Sequence, residues 1–439
     1  MATSRKNILF ISHSAGWQGG EKALAQLVDG LSPDNFSVSV VLPDDGVLAQ
    51  HFAQKGIQTY ILPLQKWVDF VQCTSGFCVD TLLANVESIR HIIDSEQIDI
   101  VHTNTSIIVE GAIAAYQTGT HHVWHLHEFI TGHPALRPRL PVYLTYRLID
   151  LLSDTVVTVS RNLYSSASIG VSPEHLISIP NGIDPLPVTH GTSLRQELGI
   201  PLDAVVITTI GHLIQEKGHV TLLQAAINVL KSNAQVVFLV VGEKRASPLG
   251  SYIEEQITKN NLEGNYFLLG YRQDIPAVLA ATDIYVCSSV TESFSLALLE
   301  AMSLEKAVVA TRCGGPDEIV IDGETGLLVP IEQPESMASA LSDLIQSPDK
   351  RARFGKNGKK RFQSLYTRGQ YCRNFEELYC NIAKRKLSDD DRKLAESLIE
   401  LLVSIKEPRD EAVEALLNSM SWRITAPLRK LYDLIFPNS

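Results

Sequence analysis

The chain has 439 residues, 45% of them hydrophobic and 20% charged, and a formal net charge of −11. That length suits two domains better than one, and a general nucleic-acid binder is excluded because no broad basic surface is evident. No apolar stretch approaches the roughly 20 residues that cross a bilayer, so any membrane role is expected to be peripheral.

The first residues, "MATSRKNILFISHS", hold a short apolar run that reads as a strand rather than a secretory leader. The six cysteines show neither C-x-x-C pairs nor zinc-like spacing with histidine, so they are expected as reduced thiols of a cytoplasmic protein.

In chain order, "NILFIS", "FSVSVVLP", "TYILPL", "DIVHTN", "HHVWHLHE" and "TVVTVS" read as strands. Helical spacing lies between most of them, as in Ala23, Leu24, Leu27, Val28 and Leu31. Near-continuous Val/Ile runs mark strands buried on both faces, hence a parallel sheet. The pattern breaks at "IPNGIDPLPVTHGTSLRQELGIP" (179–201), where prolines and small polar residues mark a linker. It then restarts with "VVITTIG", "VVFLVVGE", "NYFLLGY", "DIYVCSS" and "AVVATRC". The fold expected is α/β, with two Rossmann-like doubly wound domains facing a cleft. From about Pro334 the chain is expected to be helical. The divisions expected are 1–186, 187–368, a helix over 369–386 returning to the first domain, and a helical tail over 387–439.

Three strand-to-helix turns carry candidate chemistry. In "SAGWQGGEKALAQL" (14–27), Gly19 and Gly20 allow a ligand close to the backbone at a helix start, although the G-x-G-x-x-G spacing is absent. A plain tight turn fits that stretch equally well. In "TIGHLIQEKGHVTLLQAA" (209–226), Gly211 ends a strand, and Lys217 is placed to reach a phosphate over the helix start. In "DIYVCSSVTESFSLALLEAM", Ser293 or Ser295 can cap a helix whose free amides, near Phe294 to Leu296, suit a diphosphate. Glu292 precedes that helix and Glu300 lies on it about two turns along. In "HHVWHLHEF" (121–129), His125 and His127 point to one side of a strand, with no third ligand to make a metal site.

The segment 269–330 resembles the donor-binding half of retaining GT-B glycosyltransferases of the family-four, or group 1, class. The likeness lies in the strand–"GY"–helix run, E-x7-E, "GG" followed by Glu318, and "TGLLVP". The glycine loop, "VSRNL" (159–163) and "IPNGID" (179–184) extend it over roughly residues 5–385. The resemblance implies a metal-independent enzyme that takes a UDP- or GDP-linked sugar as substrate, with no resident cofactor. Lys217 would contact the diphosphate, as would amides around Ser293 to Leu296. Glu300 would hold ribose, and Glu292 and His127 the transferred sugar. Backbone near Tyr271 and Arg272 would flank the base, and Gly19 and Gly20 would touch the diphosphate after closure.

The chain departs from the family where His212 stands for a common arginine, and where Ser293 and Ser295 stand for common glycines. Histidine is largely neutral near pH 7, so Arg245 or Arg272 is a candidate second cation. "SWRITAPLRKL" resembles a segment seen in bacterial surface-polysaccharide glycosyltransferases. Residues 420–439 carry a net +2 with Trp422, Tyr432 and Phe436, and read as a candidate membrane-surface contact. The activity expected is sugar transfer to a glycan or lipid-linked acceptor in cell-surface polysaccharide assembly. An inactive nucleotide- or glycan-binding scaffold and a nucleotide-sugar epimerase remain as alternatives.

Overall fold

A computed structural model describes residues 5–70, 76–133, 135–189, 192–232, 235–244 and 248–405. Arg245 and the stretch 420–439, both singled out by the sequence, lie outside the described residues.

The first half runs β1 (Lys6–Ile11), α1 (Gly19–Gly30), β2 (Phe36–Leu42), α2 (Val47–Gln54), β3 (Gln58–Ile61), β4 (Val68–Phe70), α3 (Val79–Ser95), β5 (Ile100–Thr103), α4 (Glu110–Thr118), β6 (His121–Leu126), β7 (Leu136–Pro138), α5 (Val142–Leu151), β8 (Thr155–Thr158), α6 (Arg161–Ala167) and β9 (Leu176–Ser178). The second runs α7 (Thr192–Glu197), β10 (Val205–Ile210), a 3₁₀ turn (Gln215–Lys217), α8 (His219–Leu230), β11 (Val236–Val241), α9 (Pro248–Lys259), β12 (Tyr266–Gly270), α10 (Ile275–Ala281), β13 (Ile284–Cys287), α11 (Leu296–Ser303), β14 (Ala307–Thr311), α12 (Gly315–Ile319) and β15 (Leu327–Val329). Four helices close the described chain: α13 (Pro334–Gln346), α14 (Pro348–Leu365), α15 (Arg368–Asn381) and α16 (Asp389–Ser404).

The strands form two parallel sheets, ordered β3-β2-β1-β5-β6-β8-β9 and β12-β11-β10-β13-β14-β15. A two-stranded antiparallel ribbon, β4 with β7, stands apart. Burial explains the strand composition: every residue of β11, VVFLVV, is buried, as a sheet covered by helices on both faces requires. In each sheet the strand order reverses beside the first strand, between β1 and β5 and between β10 and β13. Loops leaving the carboxyl ends of strands at such a switch point open a crevice in which ligands bind.

The chain crosses between the halves twice, side by side. Ile183 N–H donates to the Tyr366 carbonyl at 3.0 Å, and Arg368 N–H donates to the Ile183 carbonyl at 2.9 Å. Only glycine fits beside this crossing at 182, because a Cβ would collide with the Thr367 carbonyl oxygen. After the second crossing α15 packs on the first half. Glu376 accepts from Ser32 N–H at 2.8 Å, and the Tyr379 hydroxyl meets His102 Nδ1 at 2.8 Å. The start of the tail, α16, lies on α5, where Arg147 pairs with Asp391 at 2.5 Å.

Candidate active site

The switch-point loops of both sheets face one cleft of about 700 Å³, within the range of small-molecule sites. The loop after β10 places Lys217 there, and the loop after β13 places Glu292. Their side chains meet: Lys217 Nζ donates to Glu292 Oε2 at 2.5 Å. Burial alone would push the Lys217 ammonium down, but the Glu292 carboxylate outweighs it and holds it above the ordinary lysine value. Gly218 follows at φ +63°, and a Cβ there would collide with the Ser288 carbonyl oxygen. Ser288 Oγ in turn donates to the Lys217 carbonyl at 2.8 Å. The lysine is therefore aimed by a turn that only glycine can make.

Glu292 stays outside the helix that follows it. Its N–H donates to the Cys313 carbonyl at 3.1 Å, and its carbonyl accepts from Gly315 N–H at 2.6 Å. This ties the loop before α11 to the loop after β14. Ser295 caps α11, its hydroxyl accepting from Leu298 N–H at 3.4 Å. Ser293 does not cap; its hydroxyl donates across the cleft to the His127 carbonyl. Phe294 and Leu296 line the cleft beside them. Glu300, on the second turn of α11, is only 9% exposed. Burial raises its carboxyl, and Lys22 partly offsets that rise. Lys22 Nζ lies 3.9 Å from Glu300 Oε1, so an ammonium of the first half faces a carboxylate of the second.

The opposite wall belongs to the first half. Gly19 begins α1 and lines the cleft, and a Cβ there would meet nothing. Gly20 sits one residue deeper, its carbonyl accepting from Asn104 Nδ2 at 3.2 Å. His127 follows the end of β6, and its Nε2 meets Asn104 Oδ1 at 3.1 Å. Burial drives its pKa down to about 4, against the pull of Glu128 and Glu21. Behind it lies His125, with ring centroids 4.1 Å apart, and then His102, 5.4 Å from His125. Burial pushes both far below the ordinary imidazole value. Among the described residues no group of three or more His, Cys, Asp or Glu is arranged to hold a metal.

The remaining sequence candidates ring the entrance. Gly211 and His212 line the cleft, and His212 Nδ1 stands 3.9 Å from Glu243. The His212 carbonyl meets His219 Nε2 at 2.8 Å. Tyr271 is 62% exposed at the rim. Arg272 lines the cleft too, but its guanidinium is held by Asp274 at 2.8 Å and Glu197 at 3.0 Å. The sequence reading missed Lys22, Asn104 and Glu128. Lys22 follows "GGE" directly, yet a lone lysine one turn into a helix carries no signal. Asn104 and Glu128 lie at strand ends, and only the sheet order brings Glu128 to the cleft and Asn104 behind it, against His127 and Gly20.

The sequence signature described as "Glycosyl transferases group 1" matches residues 192–361, and that of "Glycosyltransferase Family 4" matches residues 17–185. The chain is 28% identical over 302 residues to the Escherichia coli UDP-Gal:alpha-D-GlcNAc-diphosphoundecaprenol alpha-1,3-galactosyltransferase, covering 64% of this chain and 76% of that one. It is 27% identical over 365 residues to the Saccharomyces cerevisiae phosphatidylinositol N-acetylglucosaminyltransferase GPI3 subunit, covering 79% and 75%. Among solved structures it resembles Anabaena HepE in complex with UDP and glucose, with a TM-score of 0.71 at 24% identity, over 85% of this chain and 99% of that chain.

Proposed function

This chain belongs to the group 1 glycosyltransferases, with a family 4 half before the group 1 half, and from that premise we propose that it moves a hexose from a nucleoside-diphosphate sugar to a lipid-linked or glycan acceptor in cell-surface polysaccharide assembly. UDP is the nucleotide we favour, because the Escherichia coli relative is named for UDP-Gal and Anabaena HepE was crystallised with UDP. A lipid-linked acceptor is favoured because that relative and the yeast one are named for a diphosphoundecaprenol and a phosphatidylinositol acceptor. On this reading the enzyme works at the cytoplasmic face of the membrane.

One observation carries the mechanism: Lys217 and Glu292 meet in the cleft beside the amide-rich start of α11. The donor diphosphate would lie over those amides and against Lys217, with Glu300 accepting from the ribose hydroxyls. Glu292 would then face the anomeric carbon, where positive charge develops as the bond to phosphate breaks. The transfer retains configuration. The acceptor oxygen bonds to the anomeric carbon on the face from which the diphosphate leaves, and a phosphate oxygen takes the acceptor proton. Side chains then position and neutralise rather than attack. His127 would hold sugar hydroxyls, and Gly19 and Gly20 would bring their backbone to the diphosphate as the cleft closes. The donor is a substrate, and Lys217 and the amides would meet part of its charge.

The test is transfer from UDP-hexoses and GDP-hexoses to undecaprenyl-diphosphate-linked N-acetylhexosamine, with the product anomer read by NMR. Release of UDP with an α-linked product is expected. Isomerised donor without transfer, or nucleotide binding without turnover, would contradict the reading.

A further inference from the structure

Resting on the reading that the cleft takes a nucleotide-linked sugar, we propose that Lys22 is a second, cross-cleft ligand of the donor diphosphate. In the structure its ammonium leans on Glu300. With donor bound it turns to the phosphates, while Glu300 accepts from the ribose hydroxyls.

Charge in the cleft motivates this. Among the described residues, the permanent cations lining it are Lys22, Lys217 and Arg272. Arg272 is held by two carboxylates at the rim. Lys217 is shared with Glu292. A diphosphate ester brings two negative charges and leaves with about one more, so a site with Lys217 alone would stay undercompensated. Lys22 is the cation best placed to make up the difference. Its pair with Glu300, at 3.9 Å, is far longer than the Lys217–Glu292 pair, and its side chain is 36% exposed toward the cleft. A lysine carries its charge on a flexible four-carbon stem, so a small torsional change re-aims it.

The placement has a consequence for closure. Lys22 sits one turn into α1, with its N–H donating to the Gln18 carbonyl at 2.9 Å. It therefore belongs to the first half, opposite Lys217. A diphosphate held by both lysines bridges the two halves, and the charge that builds on the leaving group pulls them together.

The experiment titrates UDP, UMP and uridine, with the guanine set in parallel, against the full-length wild type and the Lys22→Met, Lys22→Arg and Lys217→Ala proteins. Lys22→Met is expected to weaken diphosphate binding about ten- to a hundredfold, as loss of a charge-assisted bond implies. Nucleoside affinity should be kept, and Lys22→Arg should restore most of the loss. An equal loss for uridine and UDP would overturn the proposal, because Lys22 would then act only through Glu300 and ribose. So would unchanged UDP affinity. If Lys217→Ala weakens UDP binding and Lys22→Met does not, only this inference fails. If no nucleotide binds the wild type, the reading of the cleft fails with it. A Lys22→Gln variant with an unchanged melting curve guards against a folding artefact.

Discussion

The first strand-to-helix turn of each half faces the same cleft, yet the two are built differently. After β1 the chain enters α1 through Gly19, where a Cβ would meet nothing. After β10 it enters α8 through Gly218, where a Cβ would strike the Ser288 carbonyl. The first turn is open and leaves room for a ligand. The second is jammed against the neighbouring loop and spends its glycine on aiming Lys217. The strand ends behind them differ as well. Among the described residues, His102, His122, His125 and His127 are buried in the first half, whereas in the second half the buried imidazole is His219. The same topology thus yields a wall backed by buried imidazoles on one side, with Lys22 reaching across from it, and a wall built on the Lys217–Glu292 pair on the other.

Acid should separate the two halves most strongly. Burial holds His122 at about 3, His127 and His219 at about 4, and His102 and His125 far below their ordinary value. Each binds a proton when unfolded below about pH 6.5 but not when folded. Stability is therefore full above that pH and is lost as pH falls toward 4. Four such groups cost the first half about 5 kcal/mol per pH unit at most, against about 1.4 for the second. The raised carboxyls of Glu110 and Glu300 offset part of this, one in each half. Hydrogen exchange between pH 7 and pH 5 should show β1, β5 and β6 losing protection before β10, β11 and β13. Simultaneous loss would break the comparison.

On the charged wall, Glu292→Ala should lower turnover about a hundredfold or more while nucleotide affinity holds; unchanged turnover in a steady-state assay would remove it from the chemistry. Lys217→Ala should weaken nucleotide binding by about 1.5–3 kcal/mol, read by calorimetry, and unaltered affinity would take it off the phosphates. The two turns give the smallest and sharpest contrast. Gly218→Ala should cost about 1–3 kcal/mol in a denaturant melt, whereas Gly19→Ala should stay within about 0.5 kcal/mol. Equal costs would mean the turns are not built differently.

The fold was legible because buried parallel strands write themselves as Val/Ile runs. The pieces that escaped are short: β4, β7, β9 and β15, three residues each, offer no period to read, and the six-residue α7 lies inside 179–201, which the prolines and small polar residues marked as a linker. At the site, positions set by local sequence were legible: Lys217 before its helix, Glu292 before the next, and Ser295 at a cap. Roles set by tertiary pairing were not. Lys217 and Glu292 are 75 positions apart, and no local pattern announces that they meet. Lys22 and Glu300 lie in different halves. Alternation placed His125 and His127 on one side of β6, and their rings do stand 4.1 Å apart. Nothing in that stretch says that Phe375, from α15, packs 5.0 Å from His125. Arg272 was weighed as a spare phosphate cation, and the nearby Asp274 and the distant Glu197 hold it instead.

The central claim is that the cleft takes a nucleoside diphosphate through Lys217. Thermal unfolding of the wild type and of Lys217→Ala with UDP, GDP, ADP and dTDP tests it most directly, because a ligand that binds only the folded state raises its melting temperature. Stabilisation of the wild type by UDP above the others, lost in Lys217→Ala, is the result predicted. No stabilisation by any of the four, or equal stabilisation of both proteins, would contradict it.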